Sequence, residues 1–371
     1  MTNKLKVAII GGGLNSAVGY AHYSALNLSN KFEIISGVFS RNEEINKKTS
    51  ETYHIPTLKV YSDYKTLLKN EKNNIDSVII LTPSDQHCEQ VLYAMELGIP
   101  VICEKSLTID SIELNKIKKI SDNKFLSIVY NYICYPMIKE LKTMIDMGNL
   151  GKIIQIQIEM QQEGFLRLKN GMPMKPQAWR LKDGVVPTIS LDLGTHLYSL
   201  IKICTKENPV ETIAVENTYG NFSGIIDDIN SFIKYSDGMI CNMWMSKTAL
   251  GNRNGLRIRV FGTNGSAEWF QLDPENLKIS DNTGKSYVLD RSFDMSIVAS
   301  NPRYNRFKVG HPAGYIESLA NFYEDVYDDL INFNNNIFDR KTFGLNEAEE
   351  CILLFEAISK SAKSLQWTKI K

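Results

Sequence analysis

The chain has 371 residues, 43% hydrophobic and 23% charged, which excludes a disordered polymer, because that much apolar surface offsets chain entropy. Lysine and arginine together number 42, as do aspartate and glutamate, so no basic surplus exists to displace counterions from a duplex, and nucleic acid is not an expected partner. At about 150 residues per domain, the length implies roughly two domains.

The first part of the chain alternates between strand and helix signals. Residues 6–10 are a short apolar run ended by Gly11-Gly12-Gly13, followed by a helical pattern carrying Ala17, Tyr20, Ala21 and Ser24. Further buried-strand runs fall at 32–39, 75–81, 100–103 and 125–129, with helix-prone segments at 43–53, 87–97 and 110–120. Strands separated by helices predict βαβ units and a parallel sheet over residues 1–130. After Gly151 the pattern becomes one of hairpins. Ser236-Asp237-Gly238, Gly262-Thr263-Asn264-Gly265 and Asn282-Thr283-Gly284 each separate two β-rich runs. Residues 131–371 therefore read as an α+β domain with an open, mostly antiparallel sheet. One helix is inserted near 189–204, and two close the chain. In the first of these two, Ile316, Leu319, Phe322, Tyr323, Val326, Tyr327 and Leu330 recur at helical spacing and read as core. The six cysteines show no close pairing that would suggest a zinc or redox motif. The N-terminus runs straight into the first strand without a secretory apolar region, and no apolar run approaches the ~20 residues of a bilayer span. A cytoplasmic protein with reduced thiols and no membrane partner is expected.

Gly11-Gly12-Gly13-Leu14-Asn15-Ser16 follows the first strand and opens the first helix, the context a dinucleotide fingerprint requires. Gly11 makes the tight turn, Gly13 lets the backbone approach a pyrophosphate, and Ser16 fills the last glycine slot as a small residue for helix–strand packing. The second strand ends Val38-Phe39-Ser40-Arg41. A hydroxyl and a guanidinium stand where an NAD-binding carboxylate is expected, which leans toward NADP, although Glu43 and Glu44 are close. Glu104-Lys105-Ser106 ends another strand of the parallel sheet, where ligands bind, so Lys105 is well placed for chemistry. Asp192-Leu193-Gly194-Thr195-His196, if helical, sets Asp192 and His196 on one face. Residues 301–311 carry Arg303, Arg306, Lys308 and His311 and read as a solvated basic loop, with an anion clamp as the alternative.

With these motifs in order, together with Thr82-Pro83-Ser84-Asp85-Gln86-His87 and Trp179-Arg180, the chain resembles the glucose-fructose oxidoreductase/inositol dehydrogenase/MocA (Gfo/Idh/MocA) oxidoreductases over nearly its whole length. The resemblance implies a Rossmann domain, a substrate-binding and oligomerisation domain with an open sheet, and NAD(P)-dependent chemistry at one hydroxyl of a sugar or cyclitol. It also implies a homodimer or homotetramer. By this resemblance His196 is the acid/base, Asp192 orients His196 or bonds a substrate hydroxyl, and Lys105 steadies a developing alkoxide. It further implies that Thr82, Pro83, His87, Glu104, Asn131, Trp179 and Arg180 line the cofactor or substrate side. Two departures stand out. Ser106 replaces the family proline, which often carries a cis bond, and Gly184-Val185-Val186-Pro187 is bulkier than the family's glycine-rich stretch. Rival readings are a retained-NAD glycoside hydrolase and a non-catalytic cofactor-binding regulator.

Overall fold

A computed structural model describes residues 4–294, 296–337 and 339–371; residues 1–3, read above as leading into the first strand, lie outside it. The chain forms two compact units. Unit 1 comprises the residues up to Asn131 together with Tyr315–Glu349, and unit 2 comprises Tyr132–Gly314 and Glu350–Lys371.

Unit 1 begins with β1 (Leu5–Gly11), α1 (Gly19–Ser29), β2 (Phe32–Val38), α2 (Glu43–Thr52), α3 (Tyr64–Glu71) and β3 (Ser77–Leu81). It continues with α4 (His87–Glu96), β4 (Val101–Glu104), α5 (Ser111–Lys118) and β5 (Leu126–Val129). The five strands are parallel in the order β2-β1-β3-β4-β5. Their apolar runs are continuous because both faces are covered: Val7 through Ile10 and Val78 through Ile80 are all buried. A single parallel bridge, Gly37 to Val60, lies beyond β2. With it, the order is that of the six-stranded dinucleotide fold 3-2-1-4-5-6, its third strand reduced to one bridge. The strand order reverses between β1 and β3, so the carboxyl ends of these two strands flank the crevice in which such sheets bind ligands. Asn42, Asp63 and Asp110 cap α2, α3 and α5 by accepting from backbone N–H groups of the first turn.

The sequence pattern predicted a first helix with Ala17, Tyr20, Ala21 and Ser24 on its face. Instead α1 starts at Gly19 and buries Gly19, His22, Ala25, Leu26 and Ser29, leaving Tyr20 exposed. The loop before it is longer than the fingerprint spacing, which moves the helix start and rotates its inward face.

Unit 2 contains α6 (Pro136–Asp146), β6 (Ile153–Gln161), the short ribbon β7 (Leu168–Lys169) and β8 (Met172–Pro173), and α7 (Thr195–Cys204). The strands β9 (Pro209–Asn217), β10 (Asp228–Tyr235), β11 (Ile240–Ser246), β12 (Arg257–Gly262), β13 (Gly265–Phe270), β14 (Asp273–Asp281) and β15 (Ser286–Leu289) follow. The chain then returns to unit 1 in α8 (Tyr315–Asn334). It ends with α9 (Leu345–Ser364), which belongs to unit 2 from Glu350 onward, and β16 (Thr368–Lys369). Among the described residues nine strands form one sheet, β15-β14-β13-β12-β6-β11-β10-β9-β16. Every pairing is antiparallel except β6 with β11. The three glycine-bearing turns read from the sequence make the hairpins β10–β11, β12–β13 and β14–β15. The alternation of β6 sets Ile156, Ile158 and Met160 inward on the face covered by α7, while Gln155, Gln157 and Glu159 face outward. Neighbouring outward positions are Asn242, Trp244, Arg257 and Arg259, all half-buried. No described helix is long and apolar enough to cross a membrane.

Candidate active site

In unit 1 the glycine turn leaves β1 at the crevice. Gly11 and Gly12 have φ of 84° and 69°, values that favour glycine. A Cβ at Gly13 would meet Phe39 O at 2.9 Å. The closest approach is elsewhere: a Cβ at Gly19 would sit 2.0 Å from Gly12 O. The helix–turn contact assigned to Ser16 by fingerprint spacing is therefore made by Gly19. Ser16 instead organises the loop, donating its N–H to Gly13 O (2.7 Å) while its Oγ accepts from Val18 N and Gly19 N (both 3.3 Å). Leu14 and Asn15 are exposed beside it. A turn stripped of side chains at the start of a helix fits a pyrophosphate.

Two residues of α2 and Tyr53 at its C-cap brace this turn and the strand end beside it, and the sequence reading passed over them. Asn46 Oδ1 accepts from Phe39 N (2.7 Å), and its Nδ2 donates to Tyr61 O (2.8 Å). Thr49 Oγ1 accepts from Leu14 N (3.1 Å), and Tyr53 Oη donates to Gly12 O (3.1 Å). The Tyr53 ring stacks on Tyr23 at 4.2 Å, and burial raises its hydroxyl to about 12, so it stays a donor. The signal for this stripe is the i, i+3, i+7 spacing of three side chains along a mostly polar helix and its cap. Beyond β2, Ser40 Oγ accepts from Asn42 N. Arg41 is exposed and makes no ion pair among the described residues.

The ends of β3 and β4 are tied together. His87 is fully enclosed, with Nδ1 2.7 Å from Ser106 O and Nε2 2.7 Å from Thr82 O. Burial pushes its pKa down while the two carbonyls pull it up, and the net shift is downward. His87 was placed on the cofactor side, but its ring presents no surface to a ligand, so it acts by positioning two loops. Thr82 Oγ1 is committed to Gln90 Oε1 (2.7 Å), and Pro83 beside it is exposed. Glu104 is also turned inward. Its Oε1 lies 2.8 Å from His22 Nε2, its Oε2 accepts from Lys105 N (3.0 Å), and His22 Nδ1 lies 2.7 Å from Tyr323 Oη of α8. Burial keeps the Tyr323 hydroxyl protonated. The tyrosine thus donates to Nδ1, and the histidine donates from Nε2 to a carboxylate that only accepts. The Lys105–Ser106 peptide bond is cis, and the Lys105 side chain is half-buried. Asn131 is buried and donates to Ser318 Oγ (3.1 Å).

In unit 2, Asp192 lies in a π-helical turn, Ser190–Gly194, that runs into α7, an irregularity that recurs at functional sites. Gly194 lets this turn pack closely, since a Cβ there would lie 2.6 Å from the Phe355 ring and 2.7 Å from Met245 Sδ. Asp192 Oδ2 accepts from Arg180 Nε (2.9 Å) and from Lys247 Nζ (2.7 Å). Arg180 stacks on Trp179 at 4.4 Å, and both bond Gln177 Oε1. Lys247, whose side chain is 3% exposed, was not singled out from the sequence; its only signal is one charge directly after the buried end of β11. His196 is buried, with its ring edge-on to Tyr132 at 4.6 Å. Tyr132 Oη accepts from Asn254 Nδ2 (3.1 Å). Arg180 and Lys247 also line a cleft of about 410 Å³ within this unit. The basic segment 301–311 is folded around the buried Arg291, which donates to Tyr304 O, His311 O and Asn305 Oδ1 and pairs with Glu275.

Residues 5–132 match the model of an oxidoreductase family with an NAD-binding Rossmann fold, and residues 138–268 match the Gfo/Idh/MocA C-terminal domain. An uncharacterised oxidoreductase of Bacillus subtilis, YfiI, is 26% identical over 336 residues, spanning 87% of this chain and 84% of its own. The scyllo-inositol 2-dehydrogenase (NADP(+)) IolW of the same organism is 27% identical over 195 residues, 52% of this chain and 49% of its own. In structure, an inositol dehydrogenase homologue from Azotobacter vinelandii, complexed with NADH and myo-inositol, gives a TM-score of 0.90 at 22% identity. It covers 100% of this chain and 98% of that one, a likeness of fold.

Proposed function

Because the chain belongs to the Gfo/Idh/MocA oxidoreductase family, we propose that it moves a hydride between a nicotinamide cofactor and a ring hydroxyl or ketone of a sugar, sugar derivative or cyclitol. The observation that carries this reading is the Asp192 cluster. A buried carboxylate, braced by Arg180 and Lys247, lies four residues before a buried histidine in the chain, and both cations face a cleft.

A bound nicotinamide cofactor supplies the hydride acceptor. The glycine turn, braced by Asn46, Thr49 and Tyr53, holds its pyrophosphate, and Ser40 and Arg41 favour the 2′-phosphate of NADP. Oxidising a secondary alcohol also removes the hydroxyl proton. We assign that proton to His196, since an imidazole titrates near neutrality. Asp192, acceptor-only and held by two cations, receives a neighbouring substrate hydroxyl. Lys105, at the carboxyl end of β4, supplies positive charge for the alkoxide. Thr82, His87, Glu104 and Asn131 shape the cofactor side through the loops they hold. We assign the enzyme to the cytoplasm, in keeping with its buried free cysteines. We assign homodimer or homotetramer assembly to the outward face of the nine-stranded sheet, which sedimentation velocity tests directly.

The test of function is the near-ultraviolet absorbance of reduced nicotinamide, with NAD and NADP each offered free sugars, sugar acids, sugar phosphates and inositols. Turnover with one polyol class is expected, and faster with NADP. His196→Ala is expected to bind cofactor normally and to lose about 10²–10⁴-fold in turnover. A wild-type rate in that variant would overturn the assignment of the base.

A further inference from the structure

The cleft in unit 2 is unusually charged for a chain with no net charge. Its wall carries five cations, Arg167, Lys175, Arg180, Lys247 and Arg253, against one carboxylate, Glu163. Asp192 behind the wall offsets one of the inner pair, Arg180 and Lys247, both of which it binds. The outer three have only Glu163. Its Oε1 stands 3.6 Å from Arg167 Nη1 and 3.7 Å from Arg253 Nε, beyond hydrogen-bond distance, and its Oε2 is used by Gly251 N. Neither guanidinium makes a side-chain hydrogen bond to the protein among the described residues. Lysine and arginine equal aspartate and glutamate over the whole chain, so this excess of about three positive charges is local to the cleft rather than a property of the surface at large.

We propose that this cleft is a subsite for an anion, and that the substrate is a sugar or cyclitol bearing a carboxylate or a phosphate. The proposal rests on the dehydrogenase reading and specifies its substrate class. Guanidinium forks match carboxylate and phosphate oxygens in pairs, and a cleft lined by one sign of charge concentrates the opposite sign. An anion held by Arg167, Lys175 and Arg253 leaves the sugar ring along the inner wall, where Arg180 and Lys247 present Asp192. Neutral polyols would leave the outer cations without a partner.

The test uses matched pairs with the cofactor-loaded enzyme: glucose against glucuronate, glucose against glucose 6-phosphate, and myo-inositol against an inositol monophosphate. Binding is read by calorimetry and turnover by nicotinamide absorbance. The anionic member of at least one pair is expected to bind at least tenfold more tightly, and the pair that responds distinguishes carboxylate from phosphate. Arg167→Gln/Arg253→Gln, at one half-exposed and one largely exposed side chain, is expected to weaken the anionic ligand about 10–100-fold and to leave binding of its neutral partner unchanged. Equal binding within every pair, or a preference that survives in the double variant, would overturn the subsite. The two readings fail separately. An anion preference by calorimetry without turnover sinks the dehydrogenase and keeps the subsite, whereas turnover of neutral sugars at undiminished kcat/KM sinks the subsite and keeps the dehydrogenase.

Discussion

Asp192 Oδ2 is shared by a guanidinium and an ammonium, and the ammonium is almost wholly enclosed. Removing one partner of a buried ion pair costs far more than removing a surface charge, because the remaining charge stays desolvated. Lys247→Ala is therefore expected to lower unfolding stability by about 3 kcal/mol, whereas Arg253→Gln, 79% exposed, should change it by about 0.5 kcal/mol or less; denaturant titration of both variants checks the contrast. Glu71 offers a pH-dependent counterpart in unit 1. Burial works to raise its carboxyl, but the Lys59 ammonium, the Tyr61 hydroxyl and the Asn74 amide outweigh burial and hold it below its ordinary value. A depressed carboxyl stabilises the fold above its unfolded pKa, about 4.3, and that contribution is lost as pH falls through the folded value. Glu71→Gln should cost about 1–3 kcal/mol at neutral pH, with the gap from wild type closing below about pH 4. A gap independent of pH would refute the electrostatic account.

Helix α2 looks like a plain surface helix but supports the nucleotide end of unit 1. Asn46→Ala leaves Phe39 N–H and Tyr61 C=O without their partner, at an expected cost of about 1–3 kcal/mol and with weaker binding of reduced nicotinamide cofactor, measurable by fluorescence titration. Gly19→Ala drives a Cβ into Gly12 O and should cost about 1–3 kcal/mol or more by overpacking. Ser16→Ala should be milder, because only a loop acceptor is lost. Equal effects at the two positions would refute the assignment of the close contact to Gly19. The parallel strands of unit 1 and the three hairpins of unit 2 are legible in the sequence, because buried runs and turn glycines are local signals. The same is true of the glycine turn, whereas the π-helical turn at Ser190–Gly194, which departs from the regular helical spacing assumed for Asp192 and His196, is not. The start of α1, the parallel pairing of β6 with β11, and the meetings of Lys247 with Asp192 and of His22 with Glu104 are not legible. The pairing and the two side-chain meetings depend on segments far apart in the chain, and a lone buried lysine or histidine has no periodicity to betray it; the start of α1 turns on the close contact of Gly19 with Gly12 O, which fingerprint spacing assigns to Ser16.

At the scale of the whole molecule, unit 1 is built from two pieces of chain. Helix α8 packs on α1, its Tyr323 bonds His22 and meets Phe32 at 5.7 Å, and its Ser318 receives Asn131. The N-terminal sheet and helices therefore bury His22 and Phe32 only once residues beyond Tyr315 have joined them. A fragment ending at Asn131 is expected to bind a hydrophobic dye and to melt less cooperatively than the full chain; a sharp native-like transition in that fragment would show that α8 is dispensable. On the ribosome, the stretch between Asn131 and Tyr315 takes roughly 10–40 s to make at about 5–20 residues per second. For that interval the nascent nucleotide-binding half waits with one flank bare, which marks it as a client for chaperones before it can become an enzyme.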